Sequence, residues 1–208
     1  MTENITEEGL PAGNLCDKYT TRNPIYRMIM SGYFRDVREL VDRVKDDISS
    51  ASEIGCGEGY LASYLSSLGI PSVRGCDFSE RIIRVARERN SGKGISYHVK
   101  SIYDIGRAEA ADLVVCCEVL EHLNDPDAAL DCLRDVTGKY CLMSVPREPL
   151  WRALNLARGR YLSSLGNTPG HIRHWSSRSF LRFVSRRFKV LEVRRPMPWT
   201  MVLCEKKG

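Results

Sequence analysis

The sequence contains no run of about 20 apolar residues, the length a membrane-spanning helix needs, and no C-x-x-C pair among its eight cysteines. The first absence argues against a helical span, and the second removes the ligand spacing of a zinc ribbon. No internal repeat or low-complexity tract is present. The first residues, MTENITEEGLPAGN, lack the basic flank and apolar stretch of a signal peptide, so a cytoplasmic location is expected. The cysteines then stay reduced. Most sit in apolar stretches such as DLVVCCEVL and YCLMSV, where a thiol packs as a small hydrophobe.

Acidic residues are scarce at one end. Residues 147–208 hold 14 Lys and Arg against 3 Asp and Glu, whereas residues 1–146 hold 17 against 23, so the overall +5 hides a basic C-terminal third. That asymmetry suits either an anionic partner or a solvated basic helix face.

What is present reads as one α/β domain. Residues 1–17 form a tail broken by Gly9, Pro11 and Gly13, with no expected element. From Asn23 to Val44 the apolar residues recur at helical spacing, with Asn23 as cap and Pro24 in the first turn, giving an N-terminal cap helix within 18–46. Residues 47–146 alternate strands (ASEI, SVRGCD, ISYHV, DLVVCCEV, KYCLMSVP) with helices (EGYLASYLSSLG, SERIIRVARERN, DPDAALDCLRDV). This alternation predicts a doubly wound, mostly parallel sheet with helices on both faces. After Pro146 comes a lid, 147–175, with one amphipathic helical stretch and a Gly/Pro-rich loop. A helix and a closing pair of strands, 176–208, extend five parallel strands to seven.

The sharpest motif is Glu53-Ile54-Gly55-Cys56-Gly57-Glu58-Gly59, between a strand and a helix. Glycines there let backbone approach a ligand closely, and the helix start adds amide donors. A dinucleotide fingerprint would require glycine where Tyr60 stands. The acid two positions before the first glycine suits a ligand carrying positive charge and repels a pyrophosphate. Asp77 closes the next strand in GCDFS, placed to accept two ribose hydroxyls or, more simply, to cap the following helix.

E-x-G-x-G-x-G, an acid closing the second strand, and D-L-V-V-C-C-E-V-L-E-H-L together resemble the class I, Rossmann-like, seven-stranded S-adenosylmethionine-dependent methyltransferases. The resemblance is to the broad type 11 group that includes quinone-biosynthesis enzymes, and it covers roughly residues 50–146. It implies S-adenosyl-L-methionine as cofactor and S-adenosyl-L-homocysteine as product. The implied cofactor contacts are Tyr19, Glu53, Ile54, Gly55, Cys56, Gly57, Gly59, Tyr60, Asp77, Phe78, Ser79, Ser101, Ile102, Tyr103, Cys117, Glu118, Val119 and His122. Within that set Glu53 and the glycine loop hold the methionine part, Asp77 the ribose, and Phe78 packs on the adenine. Many relatives carry Asp in the adenine loop where this chain has Ser101.

Glu118, Glu121 and His122 form E-x-x-E-H, which resembles the metal motif of small-RNA 2′-O-methyltransferases and of some quinone O-methyltransferases, with His171 as the better fourth ligand. The reading without a metal is favoured, since V-L-E-H-L also occurs in methyltransferases that bind none. His122 or His171 then serves as base or positioning group for a substrate hydroxyl.

The acceptor side is drawn from DKYTTRNPIYRMI, with Tyr19, Arg22 and Tyr26, and from the lid. There Arg147, Trp151, Tyr161, His174 and Trp175 are the candidate substrate contacts. Apolar and aromatic residues beside arginines suit a small-molecule or lipid-like acceptor with an anionic part. They also suit RNA, whose ribose methylation is the runner-up. A third reading is a cofactor-binding module without turnover. A nicotinamide enzyme is least favoured.

Overall fold

The computed structural model describes residues 5–7, 10–12, 19 and 21–207. Two short strands, β1 (Ile5–Glu7) and β2 (Leu10–Ala12), pair antiparallel with Glu7 opposite Leu10. The sequence suggests a tail without elements over residues 1–17, and these two strands fall within it.

Helix α1 (Pro24–Asp42) starts where the sequence signals it, the Asn23 carboxamide oxygen accepting from the Ile25 amide at 2.9 Å. Such a cap contributes about 1 kcal/mol. Met30, Tyr33, Val37, Leu40 and Val41 share its buried face. Next come β3 (Ser50–Ile54), α2 (Tyr60–Ser67), β4 (Ser72–Asp77), α3 (Glu80–Arg89), β5 (Ser96–Val99) and β6 (Ala111–Cys117). The remainder is α4 (Pro126–Val136), β7 (Thr137–Pro146), α5 (Leu150–Ala157), α6 (Ser177–Val184), β8 (Phe188–Arg194) and β9 (Trp199–Lys206).

Seven strands form one sheet in the order β5-β4-β3-β6-β7-β9-β8. The pairs from β5 to β7 are parallel, and β9 runs antiparallel to both of its neighbours. The expected closing pair is therefore present, with the later strand inserted between β7 and the earlier one. Side chains alternate across the sheet as strand geometry requires. Leu113, Val115 and Cys117 of β6 join the core under α1, α2 and α3, while Val114 and Cys116 join the core under α4 and α6. Both layers are aliphatic-rich, which is why β6 reads as a continuous apolar run. Seven cysteines are free thiols; Cys16 lies outside the described residues.

The chain winds from β3 outward to β5, then crosses back to β6 and winds the other way. The carboxyl ends of β3 and β6 thus flank the reversal point, where open α/β sheets leave a crevice for ligands.

Candidate cofactor and acceptor site

A cavity of about 260 Å³ opens at that reversal point. One wall is the turn between β3 and α2. Gly55 and Gly59 have φ of +75° and +76°. A Cβ on Gly55 would lie 2.4 Å from a Val119 methyl, and one on Gly59 would lie 2.5 Å from the Tyr97 hydroxyl, so neither position tolerates a side chain. Asp77 staples the turn to the next strand. One carboxylate oxygen accepts from the Gly57 amide at 3.0 Å and the other from the Ser79 amide at 3.1 Å. A carboxylate oxygen has two lone pairs and can accept from a ligand hydroxyl as well as from a backbone amide.

Glu53 lies on the cavity wall, 4% exposed. Burial pushes its carboxyl well above the usual carboxylate range; the Ala62 amide, donating to it, opposes that rise, and the nearby Asp77 carboxylate adds to it. A buried acid of this kind favours a cationic ligand, which restores the ionised form.

The opposite wall is the end of β6. Glu118 holds φ +62°, a left-handed conformation costly for a residue with a side chain, and its amide donates to the Ser144 carbonyl at 3.0 Å. The chain then forms a 3-10 turn, Leu120–His122. The carbonyl of Glu121 accepts from the Ile172 and Arg173 amides, both at 3.0 Å, which clamps the lid onto this turn. The clamp brings His171 to His122, their ring centroids 4.9 Å apart. His122 Nδ1 lies 2.8 Å from the Gly170 carbonyl oxygen. A carbonyl only accepts, so Nδ1 carries the hydrogen in the neutral ring and Nε2 keeps the lone pair.

Of the residues implicated by sequence, Tyr19, Glu53, Gly55, Cys56, Gly57, Tyr60, Asp77, Phe78, Ser101, Ile102, Tyr103, Cys117, Glu118, Val119 and His122 line the cavity. Tyr19 and Tyr60 stack at 4.2 Å, and the Arg89 guanidinium lies 4.2 Å from the Tyr60 ring centroid. Three residues do not line the cavity. Ile54 points into the core beneath α4, Gly59 supports the turn from behind, and the Ser79 hydroxyl caps α3 by accepting from Ile82 at 3.2 Å. Reasoning from sequence missed Tyr33, Leu61, Lys100 and Leu123, as well as a cavity role for Glu58. Tyr33 comes from α1, where its place in the apolar stripe read only as core. Its hydroxyl lies 3.0 Å from the Ser144 hydroxyl, and burial raises its pKa, with Cys117 and Glu118 adding to the rise. Burial also pushes the Cys117 thiol up to about 12, so it stays protonated.

The proposed substrate residues separate. Trp151 stands 5.6 Å from His171 and 5.9 Å from Trp199, whose ring in turn contacts Tyr33 at 4.9 Å. This aromatic path joins lid to cavity. Arg147 instead spends its amide on Pro198, and His174 lies 3.6 Å from the Glu148 carboxylate. Trp175 packs on Phe180 and Phe183 and faces a separate cleft beside Arg173 and Arg182. Tyr161 sits at the lid's turn with φ +54°. None of these last four reaches the cavity.

Glu121, His122 and His171 each offer a ligand atom, all within 4.8 Å of one another, and Glu118 is not in that group. One carboxylate and two imidazoles form a donor set suited to a divalent metal, and the Gly170 carbonyl supplies the outer contact that orients a ligating histidine.

Residues 52–140 match a family model described as a methyltransferase domain. That match takes in the glycine loop and the strands from β3 to β6, and with the sheet order it supports a class I, S-adenosylmethionine-dependent methyltransferase core. The ubiquinone biosynthesis O-methyltransferase of Xanthomonas axonopodis pv. citri is 32% identical over 120 residues, covering 54% of this chain and 50% of that protein. The chain thus spans half the length of that relative. In fold it is similar to magnesium protoporphyrin IX methyltransferase from Synechocystis PCC 6803 with bound S-adenosylhomocysteine (TM-score 0.68, 17% identity, 90% of this chain and 89% of that one). It is also similar to the methyltransferase domain of bacterial CtHen1-C (TM-score 0.68, 18% identity, 86% and 100%).

Proposed function

We propose that the chain transfers the methyl group of S-adenosylmethionine to an oxygen or nitrogen of a small-molecule or lipid-like acceptor, one with an anionic part. The observation that carries this reading is the juxtaposition of the glycine-loop cavity with an aromatic, arginine-flanked lid through Tyr33, Trp199 and Trp151. The quinone-pathway relative, which acts on oxygen by its name, supports the same acceptor class.

In this reading Glu53 pairs with the ammonium of the cofactor, Asp77 accepts from the ribose, and Phe78, Ile102 and Tyr103 enclose the adenine. Residues 147–175 act as the lid. Bound in the cavity, S-adenosylmethionine would supply an activated methyl group to an acceptor atom held in line with the carbon–sulfur bond, whose electron pair would stay on sulfur to leave S-adenosylhomocysteine. A hydroxyl acceptor loses its proton to Nε2 of His122, oriented by Gly170. Much of the acceleration comes from alignment of nucleophile, methyl carbon and sulfur.

A second reading, metal-assisted methylation of an RNA ribose hydroxyl, is favoured by one observation, the Glu121–His122–His171 group. A divalent ion held there would polarise the acceptor oxygen. Tritiated S-adenosylmethionine, incubated with the protein and a cell extract, tests both. Chelator-indifferent label in the lipid or small-molecule fraction supports the first reading. Label in RNA that vanishes with chelator replaces it with the second, and cofactor binding without label in any fraction leaves a module that does no chemistry.

A further inference from the structure

Acidic residues are missing from two stretches that meet in space. From Pro149 to Leu191 the sequence holds nine Lys and Arg and no Asp or Glu, and from Lys18 to Arg35 it holds four and none. The Arg158 guanidinium joins them, donating to the Tyr26 hydroxyl at 2.6 Å and lying 5.5 Å from that ring's centroid. Arg158 also donates to the buried Asn155, whose amide nitrogen donates to the Gly166 carbonyl and the Thr168 hydroxyl. The lid's turn is thereby fixed against the start of α1.

On the two segments so joined, large aliphatic side chains are left in water. Ile25, Met28, Leu156, Leu162 and Leu165 are between 39% and 70% exposed. Leu165 and Leu156 are neighbours across the turn, since Arg152 donates to the Leu165 carbonyl and a Cβ on Gly166 would meet Leu156 at 3.0 Å. Arg22, Arg27 and Arg160 are exposed alongside. A cluster of exposed aliphatics rimmed by one sign of charge marks an interaction surface.

We propose that this face docks the protein on an anionic lipid bilayer, with the leucines entering the headgroup region and the arginines facing lipid phosphates. Charge decides the occupant. A second copy of the chain, meeting this face with its own, would set arginine against arginine, because an isologous contact is self-complementary only when both signs are present. RNA would meet aliphatic tips that cannot stack on bases as aromatic side chains do. An anionic bilayer satisfies both components, apolar depth and negative surface potential. No helix among the described residues is long and apolar enough to cross a membrane, so the attachment is peripheral.

Vesicle co-sedimentation of the whole protein tests this, without cofactor or acceptor, so the result is independent of the proposed reaction. Vesicles of equimolar phosphatidylglycerol and phosphatidylcholine are expected to bind it about tenfold more tightly than phosphatidylcholine alone, with the preference lost at ~1 M salt. L162E combined with L165E is expected to reduce binding by about tenfold or more. Both side chains are exposed, and an unchanged thermal midpoint verifies that the variant folds. R27E, on the other segment, is expected to weaken binding several-fold. Equal binding to both vesicle types, no binding, or indifference to L162E/L165E would overturn the proposal. Failure to bind vesicles together with a dimer, seen by light scattering and lost in L162E/L165E, would assign the face to a second copy.

Discussion

The two halves of the cavity are built differently. The cofactor side is set by groups that cannot relax: Gly55 and Gly59 are pressed against Val119 and Tyr97, Asp77 is bonded to two amides, and Glu53 is sealed from solvent. The acceptor side is held by the clamp on the Glu121 carbonyl, the Asn155–Thr168–Trp151 hydrogen bonds and aromatic contacts, with much of the lid in water. In the proposed reading, one half selects its ligand by a rigid fit and a buried charge, and the other leaves room for acceptors of different shape. A shared cofactor with varied acceptors needs that division of labour.

Four experiments would break or sharpen this contrast. H122A should produce the largest effect, a loss of ~10²–10⁴ in kcat if Nε2 takes the acceptor proton. An acidic limb of the kcat profile is expected in the parent protein and should vanish with it; an unchanged profile would remove His122 from the proton path.

E53Q comes next. It should weaken S-adenosylmethionine binding by ~10²-fold or more, because the ammonium loses a buried partner; calorimetry measures this. The stability of the free protein should move the other way. The folded carboxyl titrates above its unfolded value, so the folded state binds the extra proton between the two. Stability therefore falls as pH rises from the unfolded value through the raised folded one. Glutamine removes that slope, and thermal unfolding across the acidic-to-neutral range should show the variant flatter and more stable at its upper end.

N155A should act on the lid alone. Loss of its bonds to Gly166, Thr168 and Arg158 is expected to cost ~1–3 kcal/mol locally. The acceptor KM should rise while the cofactor Kd stays put; a matched change in both would show that the halves are coupled. The smallest effect belongs to the exposed Arg186–Asp127 pair, at 2.6 Å and more than half exposed on each side. Alanine at either position should shift unfolding free energy by less than ~1 kcal/mol.

How much of this was legible in the sequence depended on contiguity. The glycine loop, Asp77 and the E-V-L-E-H segment are local, each at the end of a strand, and a strand end in an open sheet points at the crevice. The same contiguity over-assigned Ile54, Gly59 and Ser79: within a short motif neighbouring residues face different ways, and Ile54 turns into the core beneath α4, Gly59 backs the turn, and Ser79 caps α3. Tyr33 and Trp199 arrive from distant parts of the sequence, and nothing in their local pattern marks them as members of the aromatic path and not merely of the core. Trp175 misled for a related reason. It follows His174 in an aromatic, basic segment, but α6 offers it Phe180 and Phe183 to pack on. The seven-stranded sheet was legible from alternation, whereas the insertion of β9 ahead of β8 rests on long-range pairing.

That insertion has a consequence for biosynthesis. Strand β8 pairs with β9 alone, and β9 is made after it. A ribosome extending the chain at about 5–20 residues per second therefore releases β8 before the strand that can hold it exists. The five parallel strands and the glycine loop, all complete by Pro146, can already be assembled. Trp199, the first residue of β9, thus joins the aromatic path to the lid only after the residues of the five parallel strands have been made.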